Sequence, residues 1–339
     1  MDKSKVKIKD KNILYIGPKF FGYEVEIKKT LEYFGAKVDF YDDRPSEDFF
    51  TKVFIRLKLK FLVNSKIESY YDTLFNEIKD RSYDYVFVIA PETLNYEKLS
   101  TIKDIQKTAK YILYMWDSFK NKDSFNTIEL FNRVITFDSQ DARKYNLDFL
   151  ALFYIQKYEK IKMIDDFQYD ICFTATAHSD RYQIVKKIEK QVIELNKKMF
   201  SFFYLPSKIM YWMRKLFIKK YAYGNIDDFS FSSLNQKEIV NIIEQSKVVL
   251  DINHPLQYGL TSRTIESLGA KRKLITTNEN IKEYDFYNEN NILIIDRNNP
   301  FIQKDFFQKE YIQPVNSIYQ KYSLKSWIRS IFSNLDDKK

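Results

Sequence analysis

The apolar pattern alternates between short unbroken runs and helix-spaced segments. NILYIG (12–17) is an apolar run that ends on Gly17, and the following EVEIKKTLEYFG has helical periodicity and stops at Gly35. AKVDFYD then reads as a second strand. Strand, helix, strand predicts a parallel sheet with right-handed crossovers. Further strands are expected at YDYVFVIA (83–90), AKYILYMW (109–116) and RVITFD (133–138). The pattern then restarts. YDICFTAT (169–176) predicts a strand, SDRYQIVKKIEKQVIELNKK a helix and KMFSFFYL (198–205) a strand. QKEIVNIIEQS (236–246) has Ile239, Ile242 and Ile243 at helical spacing. VVLDIN (248–253), RKLITTN (272–278) and NILIID (291–296) predict strands, and TSRTIESLGA (261–270) a short helix. The last segment, SLKSWIRSIFSNL, is amphipathic, with Leu324, Trp327, Ile328 and Ile331 on one side.

These elements predict an α/β fold of two Rossmann-like, doubly wound domains, at 1–160 and 161–318, with a terminal helical segment at 319–339. A length of 339 residues suits two domains of ordinary size. Ligands of open α/β sheets bind outside the carboxyl ends of the strands. A cleft between two such domains is therefore the expected active site.

Composition narrows the setting. The single cysteine, Cys172, excludes an intramolecular disulfide and a Cys-based zinc site, and one thiol suits a reducing cytosol. The N-terminal MDKSKVKIKDKN lacks the apolar stretch of a signal peptide, and no apolar run reaches 18 residues. The net charge of +9 is uneven. Residues 49–67 hold Lys52, Arg56, Lys58, Lys60 and Lys66, and residues 195–226 hold Lys197, Lys198, Lys208, Arg214, Lys215, Lys219 and Lys220. Neither window contains an acid, so the remaining body is net −3. Both windows are rich in aromatic or aliphatic residues. Three readings compete: an interfacial segment on an anionic membrane, a nucleic-acid surface with aromatics stacking on bases, and solvated helices whose aromatics belong to the core. The membrane reading is preferred, and no nucleic-acid partner is expected.

The candidate chemistry gathers after strands of the second domain. The only two histidines, His178 and His254, each follow a predicted strand there. The loop Thr174-Ala175-Thr176-Ala177-His178-Ser179-Asp180-Arg181 has small residues that let backbone approach a ligand, and Arg181 opens a helix whose free N–H groups favour anions. A phosphate site fits these parts, as does a plain strand-to-helix turn capped by Ser179 or Asp180. In Asp251–Glu266, Gly259 supplies an unhindered turn, Thr261 and Ser262 can cap the next helix, and Arg263 would face a pyrophosphate. Glu266 could accept hydrogen bonds from ribose hydroxyls, or pair with Arg263 three residues earlier.

The segment GLTSRTIESLGAKRKLITTNENIKEYDFYNENNILIID closely resembles the donor-binding half of bacterial GT-B glycosyltransferases of capsular polysaccharide or lipopolysaccharide synthesis. YDICFTATAHSDRYQIVKKI resembles the opening of that domain. GPKFFGYEVEIKKTLEYFGAKVDFYDDRPS and YILYMWDSFKN resemble the group's N-terminal domain, and the likeness spans roughly residues 12–300. It implies two domains facing across a cleft, an acceptor-binding N-terminal domain, a nucleotide-sugar-binding C-terminal domain and a terminal helix that packs back on the former. It implies a donor site of His178, Ser179, Arg181, His254, Tyr258, Gly259, Thr261, Arg263 and Glu266, with Glu266 on the ribose. Many retaining members carry a second glutamate eight positions before the ribose residue. Tyr258 stands there, so that pattern is absent and the anomeric outcome stays open.

No Asp-x-Asp occurs, which agrees with a site that uses no metal and no cofactor and neutralises its leaving group with Arg, His and helix N-termini. The acceptor needs a general base if the enzyme inverts. Asp117, directly after the YILYM strand, is the first choice, ahead of Asp43, Glu24 and Asp138. Gly17, Pro18 and Tyr23, with Asp43, would line the acceptor side. The expected protein is a cytosolic glycosyltransferase at the inner face of the cell membrane, acting on a lipid-linked or glycan acceptor. The alternatives are a non-catalytic nucleotide-sugar or nucleic-acid binding module and a sugar-nucleotide epimerase.

Overall fold

The computed structural model describes residues 7–45, 63–119, 125–217 and 224–333. It divides into two units, Met1–Ala151 with Leu324–Lys339 and Leu152–Ser323. The division falls nine residues before the expected end of the first domain at 160, and the terminal segment joins the first unit at 324 rather than 319.

The first unit holds a six-stranded sheet of β1 (Asn12–Gly17), β2 (Lys37–Asp42), β3 (Tyr85–Ile89), β4 (Lys110–Met115), β5 (Arg133–Thr136) and β6 (Asp148–Phe149). Its order is β2-β1-β3-β4-β5-β6, and every neighbouring pair is parallel. Strands β1, β3 and β4 are central, which is why they read as unbroken apolar runs: a parallel sheet is covered on both faces. Helix α1 (Tyr23–Tyr33) follows β1 and starts at Gly22, whose φ of 79° lies in the left-handed region open to glycine. Helix α2 (Asn64–Ile78) buries Ile67, Tyr71, Leu74 and Ile78, and α3 (Tyr96–Ile105) is capped by the Asn95 side chain. Helix α4 (Ser139–Tyr145) follows β5.

The second unit opens with α5 (Gln156–Glu159). Its sheet comprises β7 (Tyr169–Thr176), β8 (Met199–Tyr204), β9 (Phe229–Ser230), β10 (Ser246–Asp251), β11 (Lys273–Thr276) and β12 (Ile292–Ile294), ordered β12-β11-β10-β7-β8-β9 and again parallel throughout. Helices α6 (Arg181–Glu194), α7 (Lys208–Phe217), α8 (Gln236–Glu244), α9 (Ser262–Gly269) and α10 (Asn316–Lys321) complete it. Tyr182, Ile184, Val185, Ile188 and Val192 form the inward face of α6.

The final helix, α11 (Leu324–Ile331), packs on the first sheet. Trp327 is buried against Tyr114 at 4.8 Å and Phe87 at 6.0 Å, and Phe332 against Phe87 at 5.5 Å. Arg133 at the start of β5 donates to the carbonyls of Ser330, Ile331 and Ser333. A guanidinium thus satisfies the C-terminal carbonyls that a helix leaves without partners.

The two basic windows separate into unlike parts. Lys52, Arg56, Lys58 and Lys60 lie outside the described residues, as do Lys219 and Lys220, while Lys66 is exposed on α2. In the second window Phe203 and Tyr211 are core residues, and Lys197 pairs with Asp170 at 2.9 Å. The described aromatics of that window therefore divide between β8, the core and α7. No helix among the described residues is long and apolar enough to cross a membrane.

Candidate functional site

In the second sheet the chain runs outward from β7 to β8 and β9, then returns to place β10 on the other side of β7. Adjacent loops at such a reversal part in opposite directions and leave a crevice at the strand ends. The loops after β7 and β10 are those that carry the two histidines. His178 and His254 face each other with ring centroids 5.6 Å apart.

Arg181 ties the two loops together. Its Nε donates to the Ile252 carbonyl (2.7 Å) and its Nη1 to the Thr176 carbonyl (3.2 Å). Burial lowers its pKa to about 10, with Arg297 and Arg263 adding to the effect against the opposing pull of Asp251. Burial also lowers the His178 pKa to about 3, helped by Arg181, His254 and Arg214, so this imidazole is neutral at physiological pH. Ser179 holds a left-handed φ of 53°, and its hydroxyl donates to the His178 carbonyl (2.7 Å). Asp180 occupies the N-cap position of α6 without capping it. Its carboxylate instead pairs with Arg297 at 2.7 Å, so no side chain caps that helix N-terminus.

The β10 loop is held from below by Asp251, which accepts from the hydroxyls of Thr261 (2.6 Å) and Thr264 (2.7 Å). Thr261 in turn caps α9 by accepting from the Thr264 N–H. Gly259 and Tyr258 are fixed through their carbonyls, which accept from Asn278, and the Tyr258 side chain stays exposed. Arg263 and Glu266 form the i,i+3 ion pair at 2.6 Å, with Glu266 almost fully covered. Burial raises the pKa of the neighbouring Tyr158, and the charge of Glu266 adds to that. The ribose contact proposed for Glu266 would therefore have to coexist with, or replace, its bond to Arg263.

Two arginines join this site that the motif reading did not place there. Arg297, just past β12, donates to Asp180, to the Asn253 carbonyl and side chain (2.7 Å each) and to Thr277 (3.1 Å). Arg214 reaches in from α7 and donates to the Ala177 carbonyl (2.6 Å). The signal for Arg297 was positional: it follows a strand of the same sheet, as the histidines do. Arg181, Arg214, Arg263 and Arg297 thus meet Asp180, Asp251 and Glu266, which leaves one positive charge in excess beside two imidazoles. That arrangement suits an anion with several oxygens.

In the first unit the sheet reverses between β1 and β3. Gly17 ends β1 so close to β3 that a Cβ there would lie 3.3 Å from Cβ of Ile89. Trp116, after β4, packs edge-on against Tyr23 (5.8 Å) and Phe20 (5.6 Å), which brings the half-buried Asp117 to the same edge as half-buried Pro18. Asp117 accepts from the Ser118 N–H at 2.9 Å. Glu24 is spent on the loop, accepting from the Phe20 N–H, and Asp138 caps α4. Asp43 departs from expectation. It is fully buried, and its carboxylate accepts the N–H groups of Glu92, Thr93 and Leu94 and the Tyr71 hydroxyl. It ties the end of β2 to the loop after β3 and cannot line an acceptor surface; burial pushes its pKa up. Beside it a cavity of about 290 Å³ is lined by Lys19, Phe40, Tyr41, Arg44 and Tyr70. Among the described residues no three His, Cys, Asp or Glu side chains group as a metal site.

No family model and no curated protein sequence matches the chain. Solved structures do. A glycosyltransferase from Rickettsia africae matches 97% of this chain and 100% of its own at 14% identity, with a TM-score of 0.56. The N-terminal domain of trehalose-6-phosphate phosphatase from Candida albicans covers 97% of both chains at 8% identity and a TM-score of 0.58. A Listeria monocytogenes protein assigned as a UDP-N-acetylglucosamine 2-epimerase covers 97% of this chain and 98% of its own at 8% identity and a TM-score of 0.52. At such identities the likeness is one of fold, and that fold, two Rossmann-like α/β units in one chain, is GT-B.

Proposed function

We propose that the protein is a glycosyltransferase that moves a sugar from a nucleotide-sugar donor to a lipid-linked or glycan acceptor in bacterial surface polysaccharide synthesis, at the inner face of the cell membrane. The observation that carries the reading is the pairing of His178 and His254 across the strand reversal of the second sheet, with Arg181 and Arg297 half-buried beside them. The donor diphosphate would take the excess positive charge of that site and the uncapped N-terminus of α6.

Transfer with inversion breaks the bond between the anomeric carbon and the diphosphate oxygen as the acceptor oxygen bonds to that carbon. The acceptor proton passes to the Asp117 carboxylate, and the nucleoside diphosphate leaves with its charge met by the arginines. Neither a metal nor a cofactor is needed for this step.

The test is transfer and donor hydrolysis over a panel of nucleotide sugars. Sugar release or transfer that is lost in Arg181→Ala supports the reading. Absence of binding to every nucleotide and nucleotide sugar refutes it. Conversion of the donor to an epimeric sugar nucleotide without any acceptor would assign the site to epimerisation instead.

A further inference from the structure

Helix α7 is built the wrong way round for a helix that only covers a core. Its inner face is Tyr211, buried in the second unit's core with its hydroxyl donating to the Gly224 carbonyl (2.7 Å), together with Arg214 on the Ala177 carbonyl. Its outer face is Ile209, Trp212, Met213 and Leu216, at i, i+3, i+4 and i+7, and these side chains are 73%, 50%, 57% and 66% exposed. Exposed aliphatic and aromatic residues occur singly on any protein, but four on one stripe of a ten-residue helix mark an interaction surface. Lys208 and Lys215 rim one side of the stripe, with the Lys215 ammonium 5.8 Å from the Trp212 ring.

We propose that the outer face of α7 docks on an anionic lipid bilayer. The inference rests on the membrane-located acceptor of the preceding reading and assigns the surface that would meet it. Two features select this occupant. Helix α7 itself carries Lys208, Arg214 and Lys215 and no acid, so two copies of the face brought together would repel. The stripe is also the convex side of one helix rather than a groove, and a bilayer accepts such a face without needing shape complementarity. Trp212 beside a lysine is the pairing found at the headgroup level, where one end of a side chain is apolar and the other wet.

The test is co-sedimentation of the full chain with phosphatidylcholine vesicles with and without phosphatidylglycerol. The variant Ile209→Ser/Met213→Ser/Leu216→Ser is expected to bind anionic vesicles at least about tenfold more weakly, since each buried methylene shifts partitioning about fourfold. Its nucleotide affinity without vesicles and its unfolding midpoint are expected to match the parent, which separates failure of this surface from failure of the donor site and from misfolding. Lys208→Glu/Lys215→Glu is expected to weaken binding to anionic vesicles and leave binding to neutral ones unchanged. Equal vesicle binding by the serine variant would overturn the proposal, as would no binding by the parent, or a parent dimer that the serine substitutions dissociate.

Discussion

Arg297 offers the sharpest single perturbation, because one side chain braces three segments of the second unit. Its guanidinium meets Asp180 at the start of α6, Asn253 after β10 and Thr277 after β11. Hydrogen bonds to a charged group contribute about 1.5–3 kcal/mol each. The four bonds here share one guanidinium, and Asp180 keeps a fifth of its surface, so water can replace part of what Arg297→Ala removes. We therefore expect a loss of about 3 kcal/mol rather than the full sum, or about 6–12 °C of unfolding midpoint for a unit of this size. Arg297→Lys keeps the charge but not the planar fork, and should fall between. Thermal unfolding followed by circular dichroism reads the first effect. Nucleotide-diphosphate titration at a temperature where the variant is folded reads the second, a loss of affinity of about tenfold or more from one displaced charge-assisted contact. A midpoint unchanged to within about a degree would refute the bracing. A destabilised variant with parental nucleotide affinity would confine Arg297 to a structural role.

Three further outcomes follow from the same geometry. His178 titrates near 3 when folded and near 6.5 when unfolded, so below about 6.5 the unfolded chain binds the extra proton and stability falls as pH drops, by at most about 1.4 kcal/mol per unit; urea midpoints at pH 7 and pH 5 should diverge in the parent and converge in His178→Asn. Asp117→Asn should lower transfer by about a hundredfold or more while donor affinity stays near parental, and full activity would remove it as the base. Trp327→Ala should cost about 3–5 kcal/mol by emptying the space beside Tyr114 and Phe87, read as an earlier urea midpoint of the first unit.

The sequence pattern located the sheets better than the site. Central parallel strands such as YVFVI and KVVLD are buried on both faces, so their apolar runs stand out. The two-residue strands β6 and β9 are too short to show any period. Helix α7 does not read as a core helix because its apolar stripe, Ile209, Trp212, Met213 and Leu216, faces outward rather than onto the sheet. The histidine loops stand out in the sequence because each follows a strand, and Arg297, just past β12, carries the same positional mark. Burial was not legible: nothing local to YDDRP tells that Asp43 turns inward to three backbone N–H groups while Asp42 stays at the surface cavity. Of the two roles that the sequence allows Glu266, the structure displays the pair with Arg263.

The central claim is that an anionic sugar donor binds where the second sheet reverses. Amide hydrogen exchange with and without nucleotide sugars tests it most directly. The account predicts slowed exchange across 176–183 and 251–264, with the effect abolished in Arg181→Ala. Protection confined to other segments, or none with any donor in the panel, would contradict it.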